Sequence, residues 1–114
     1  MRMLLAVGLT SLFVVPALAH HGWGSYDADN PITMQGPILS ITLQNPHGAM
    51  TLRHEGAEWL VTLAPLSRMT ARGATGDILA TGVEVIAYGY PKRDGTPEIR
   101  AEWLDVDGRR FHLR

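Results

Sequence analysis

Turn-forming clusters recur along most of this chain, and their spacing is what most limits its fold. Asp29-Asn30-Pro31, Asn45-Pro46-His47-Gly48, His54-Glu55-Gly56, Pro91-Lys92-Arg93-Asp94-Gly95 and Asp107-Gly108 each read as a turn. Between them lie short runs, most with strand-like alternation. Leu39, Ile41 and Leu43 alternate with Ser40 and Thr42, the period of a half-buried strand. The predicted strands cover residues 32–44, 49–53, 58–64, 83–90 and 97–106, with a last short strand over 109–113. Met50 and Leu52 share one face of the second strand, Trp59, Val61 and Leu63 one face of the third, and Ile99, Ala101 and Trp103 one face of the fifth. Gly36-Pro37 predicts a bulge or bend near the start of the first strand. The pattern changes after Pro65: Leu66, Met69 and Thr70 lie at helical spacing and Gly73 can end a helix, which gives a short helix over 65–72. Residues 77–79 fit a turn or a strand start.

This order predicts a mainly all-β fold: a small, five- to six-stranded OB-like barrel with one short helix between strands three and four. A glycine-bent first strand suits that barrel, because the strand must curl across both halves. The alternative is a β-sandwich with one incidental helix.

The first residues have a different character. Arg2 precedes an apolar run from Met3 to Val15, Pro16 breaks it, and Ala17-Leu18-Ala19 forms an A-x-A cleavage site. These are the parts of a secretory signal peptide, cut after Ala19. The run falls short of the roughly 20 residues needed to span a bilayer as a helix, so no stable membrane insertion is expected after cleavage. Arg2 stands alone, which argues against twin-arginine export, and no cysteine follows to carry a lipid. A periplasmic or secreted product of a bacterium is expected. The predicted organisation is a signal peptide over 1–19, an N-terminal arm over 20–31 and the barrel domain over 32–114.

Removing nineteen residues from 114 leaves 95, enough for one domain with a small core. The chain has no cysteine, so disulfides cannot hold it. Without Arg2, nine basic residues face eleven acidic ones, a formal charge of −2. A nucleic-acid module usually shows a basic patch, and an exported acidic domain would rarely meet its target, so nucleic acid is not an expected partner.

Several residues together resemble a known family. They are the signal peptide, His20-His21, Tyr26-Asp27, Pro31, Gly36, Asn45-Pro46-His47, Gly89, Pro91 and Asp94-Gly95. The set resembles a family of small, exported proteobacterial proteins of unknown function, which begin after cleavage with a His-His pair and carry an Asn-Pro-His turn. Where members often place an aromatic just after that last histidine, Gly48 and Ala49 follow here. The resemblance implies export and a small β domain, and it brings no established activity.

Cleavage before His20 would place a free α-amine beside an imidazole. An N-terminal histidine chelates a metal through its amine and ring Nδ1, and a second imidazole completes an all-nitrogen set known as a histidine brace. Planar nitrogen ligands suit Cu(II). The amine titrates near pH 7.7–8 and imidazole near 6.5, so a metal displaces both protons at neutral pH. His20 is the expected chelate, with His47 or His21 as the third nitrogen. An arm doubling back at Pro31 would bring His20 beside the turn that holds His47. Asn45 is a candidate to orient the His47 ring, and Asp27 a candidate acceptor for a histidine N–H, or else a turn cap. Met34, Met50 and Met69 suit soft coordination of copper but equally fill cores. His54 is expected in solvent and His112 on an outer face.

No nucleophile–base pair is readable, since there is no cysteine and Ser25, Ser40 and Ser67 carry no surrounding signature. The residues therefore give no positive evidence for hydrolysis, and a copper-dependent oxidase would need the same ligands plus an open coordination position. Two functions follow from the residues. One is a periplasmic metal-binding protein, for copper, in trafficking, buffering or assembly. The other is a metal-free OB-type module for a small molecule, a peptide or an envelope protein.

Overall fold

A computed structural model describes residues 22–114. The expected signal peptide, His20 and His21 lie outside the described residues. After a 3-10 turn at Trp23–Ser25 come β1 (Ile32–Pro37), β2 (Ser40–Thr42), β3 (Ala49–His54) and β4 (Ala57–Thr62). Then follow α1 (Leu66–Ala71), β5 (Glu84–Pro91), β6 (Glu98–Val106) and β7 (Arg109–His112).

The strands form one sheet in the order β1-β5-β6-β4-β3-β2, with β7 paired to β6. Every pairing is antiparallel except β4 with β6. The two ends of this path, β1 and β2, are consecutive in the chain, and the exchange of partners happens at one peptide. Ile38 N donates to Val83 O at 2.9 Å, beside β5, while Leu39 N donates to Thr51 O at 3.0 Å, in β3. The bent first strand thus serves both halves of an OB-like, barrel-like fold without one continuous ladder closing the sheet.

That bend also resets which side chains point inward. Met34 and Ile38 are buried in the core, Leu39 is 37% exposed, and Ile41 and Leu43 are half-buried against the core. Leu39 therefore leaves the inward face on which simple alternation puts it. A strict two-residue period holds only while the strand keeps one partner.

A second irregularity lies in the β5–β6 pair. Tyr88 faces Trp103 but Gly89 faces Ala101, so Glu102 is left between them as a bulge. Ile99 and Ala101 point inward before it, and Leu104 and Val106 after it. Trp103 consequently lies on the outer face, stacked on Tyr88 with centroids 5.1 Å apart and with the Arg110 guanidinium 3.6 Å from its own. It does not share the face of Ile99 and Ala101. At the bulge the backbones approach too closely for any side chain on Gly89, where a Cβ would sit 2.3 Å from Arg100 O.

The tight turns behave as the sequence implies. Glu55-Gly56 and Asp107-Gly108 both have positive φ at both positions, 49° and 79° in one and 50° and 76° in the other. That backbone closes two-residue hairpins. Helix α1 follows Pro65, and the Asn45 side-chain oxygen accepts from Leu66 N at 3.2 Å. Its Met69 reaches the core, and so do Met34 and Met50, each about 1% exposed. These methionines pack rather than present sulfur to a ligand. Residues 77–79 belong to a turn in which Ile78 N and Leu79 N both donate to Thr75 O. With no disulfide present, burial carries the stability, each large core side chain contributing about 1.5–3 kcal/mol. No helix among the described residues is long and apolar enough to cross a membrane.

Candidate functional site

Residues 22–31 do not double back at Pro31. They run on from β1 along the loop end of the β5–β6 hairpin. Tyr26 forms an antiparallel bridge with Lys92, Asp27 N donates to Pro91 O at 2.8 Å, and Arg93 N donates to Ser25 O at 3.0 Å. Asp27 caps the turn after it, accepting from Asn30 Nδ2 at 2.8 Å and Asp29 N at 3.1 Å. The Asn30 bond, with the Asp29 amide and Arg93 nearby, holds its carboxyl below the usual carboxylate range. Its oxygens are thus engaged within the turn. Trp23 fastens the start of the arm: the Arg100 guanidinium lies 4.1 Å from its ring, that of Arg114 4.7 Å, and Tyr90 meets it edge-on at 5.9 Å.

Beneath the arm is a cleft of about 190 Å³. Its floor follows from the parallel β4–β6 pairing, which sets Leu60 opposite Glu98 and Thr62 opposite Arg100. Val61 and Ile99, between those pairs, are wholly buried in the core. Alternation therefore turns Leu60, Thr62, Glu98 and Arg100 to the other face. Tyr26 covers this face, and Lys92 and His47 complete the lining. Tyr26 donates its hydroxyl to Glu98 Oε2, and Thr62 Oγ1 donates to the same oxygen at 3.3 Å. Burial, reinforced by the hydrogen bond to Glu98 and its charge, pushes the Tyr26 phenol up to about 12. Burial pulls the Arg100 guanidinium below its ordinary value.

His47 enters the cleft from the loop between β2 and β3, next to the cis Asn45-Pro46 peptide. Gly48 fixes that loop to the residues just after β4, donating to Ala64 O at 2.9 Å and accepting from Leu63 N at 2.8 Å. The His47 ring is half-buried, and its Nδ1 lies 3.1 Å from Gly48 O. A carbonyl only accepts, so Nδ1 carries a proton, and in the neutral ring Nε2 keeps its lone pair. The group that orients the ring is Gly48 O, while Asn45 spends its oxygen on helix α1.

The other histidines divide. His54 is not simply solvated: it is half-buried and edge-on to Trp59 at 5.7 Å. His112 is exposed on β7, as expected. Among the described residues, no cluster of three or more His, Asp, Glu or Cys is placed to hold a metal. The cleft supplies one oriented imidazole, one anchored carboxylate and two cations. The sequence reading missed Leu60, Thr62, Lys92, Glu98 and Arg100. The available signal was the strict alternation around Val61 and Ile99, which leaves polar and charged residues together on the second face.

Residues 9–99 match a family of unknown function, DUF6152, over most of the chain. The chain belongs to that family. No curated protein matches it. Among solved structures, this DUF6152 member is similar to a chain of the S. pombe Stn1–Ten1 complex, with a TM-score of 0.54 and 15% sequence identity. The alignment covers 67% of this chain and 57% of that one. At that identity the likeness bears on the fold alone, and it agrees with the OB-like strand order.

Proposed function

We propose that this DUF6152 member is an exported, periplasmic or secreted protein that binds Cu(II) for trafficking, buffering or assembly. The ligands in this reading are the His20 amine and ring Nδ1, with His47 Nε2 as the opposing nitrogen and His21 as the alternative partner. The paired motif His20-His21 … Asn45-Pro46-His47 is then the working part of a proteobacterial family. One observation carries the reading: His47 lines a cleft, with Nδ1 tied to a backbone carbonyl and the Nε2 lone pair left for a ligand. Metal-binding histidines commonly show this arrangement, because the second-nitrogen bond fixes both tautomer and ring direction. The arm adds support, since Tyr26 lines the same cleft and Trp23 stacks on Arg100 at its edge. His20 precedes Gly22 by two residues, a span of at most about 7 Å. Bound there, copper would give a site for storing or transferring the ion, and no bond-making step is assigned to it.

Intact mass and metal analysis of the protein recovered from the periplasm test this together. The expected result is a chain beginning at His20 with one copper per molecule. A mature chain beginning elsewhere, or one that takes up no copper, contradicts the reading.

A further inference from the structure

The cleft beneath the arm concentrates positive charge in a chain whose formal net charge is −1. Among its described lining side chains, Lys92 and Arg100 are cationic and Glu98 is the sole carboxylate. The two cations flank one aromatic ring: Lys92 Nζ lies 5.5 Å from the Tyr26 centroid, and the Arg100 guanidinium 6.0 Å. Arg114 adds a third cation nearby, on the same Trp23 ring as Arg100, although Glu102 pairs with it at 3.4 Å. Glu98 makes no ion pair with Lys92: its Oε2 accepts from the hydroxyls of Tyr26 and Thr62, and its single negative charge leaves the two lining cations in excess. Among the described residues Lys92 makes no ion pair. A recess with low-dielectric walls and one sign of excess charge focuses potential and gathers counter-ions. Ammonium and guanidinium groups make strong, charge-assisted bonds to carboxylate and phosphate oxygens. At about 190 Å³ the cleft has room for a small ion among these side chains.

We propose that this cleft binds a small oxyanion, a phosphate or a short carboxylate, against Lys92 and Arg100. The site does not require the metal. With Cu(II) on His47, an anion in the cleft would offset the added charge, so the two ligands would favour each other's binding.

The test is NMR titration of the metal-free exported protein with inorganic phosphate and, separately, with acetate. Saturable shifts of the Lys92, Glu98 and Arg100 amides are expected with at least one probe, at a Kd of about 1 mM or tighter. Lys92→Gln should weaken that binding about tenfold. Glu98→Gln keeps an acceptor for Tyr26 but removes the like charge, and should tighten it. The dispersion of each variant's spectrum reports its folding. A response to phosphate alone assigns the site to phosphate, and one to acetate alone to carboxylates. Absence of saturable shifts with both probes, or shifts that neither variant alters, overturns the inference. Adding one residue before His20, which keeps every lining side chain of the cleft, separates this site from the copper site: copper affinity should fall while phosphate binding by the metal-free protein stays within about twofold. Failure of copper binding with phosphate binding intact would remove the metal reading only, and the converse would remove this one only.

Discussion

Tyr26 is the residue on which the arm and the cleft depend together. Its ring is 7% exposed, its backbone bridges Lys92, and its hydroxyl is given to Glu98. Burial and the Glu98 carboxylate raise its pKa from 10.0 to about 12, because both oppose a phenolate. The protonated phenol is thus favoured more in the folded state than in the unfolded one. The associated stability is fully present below about pH 10 and is lost as the pH rises towards 12. Its size is on the order of 2 kcal/mol. Tyr26→Phe removes the titrating group, so the difference in urea-unfolding free energy between wild type and variant should shrink across that interval. A constant difference would show that Tyr26 does not titrate as its surroundings dictate. Below pH 10 the variant should be less stable by about 1–2 kcal/mol, since Glu98 loses one of its two hydroxyl donors.

Among the elements, helix α1 and the His47 loop meet at Asn45. The Asn45 oxygen accepts from Leu66 N at the first turn of α1, across twenty-one residues of sequence. Asn45→Ala should therefore cost about 1 kcal/mol in thermal or urea unfolding and leave copper affinity at His47 nearly unchanged. A variant of native stability with a large loss of copper affinity would return Asn45 to the role of orienting the ring. The sequence suggested that role because Asn45 is two positions from His47, and the helix that claims it became visible only in three dimensions. The same division runs through the fold. Strands β3 and β4, helix α1 and the hairpin turns were legible because alternation, proline and paired turn residues act locally. The partner exchange at Ile38-Leu39 and the bulge at Glu102 were not, since each depends on what the neighbouring strand offers. The cleft was legible in part. His47 stood out on its turn, whereas Glu98 and Arg100 join Leu60 and Thr62 through a parallel pairing that no turn announces.

At the scale of the whole molecule, a bent first strand joins the two ends of an OB-like sheet, and its upstream extension lies over the cleft. One end of the fold thereby gathers the arm, the oriented imidazole of His47 and the excess positive charge. In the copper site proposed above, the first residue of the mature chain would provide the metal chelate and His47 the opposing nitrogen. Adding a single residue before His20 tests it most directly, because it moves the free amine while retaining every side chain. Cu(II) affinity by competition, with EPR of the bound ion, should be measured on the native, extended and His47→Ala proteins. Losing a ligand should exceed the 10–100-fold effect typical of losing a ligand's hydrogen-bond partner. The extended and His47→Ala forms should therefore both bind about a hundredfold more weakly or worse, each with an altered EPR spectrum. An extended form that binds copper as tightly as the native protein, with the same spectrum, would contradict the account.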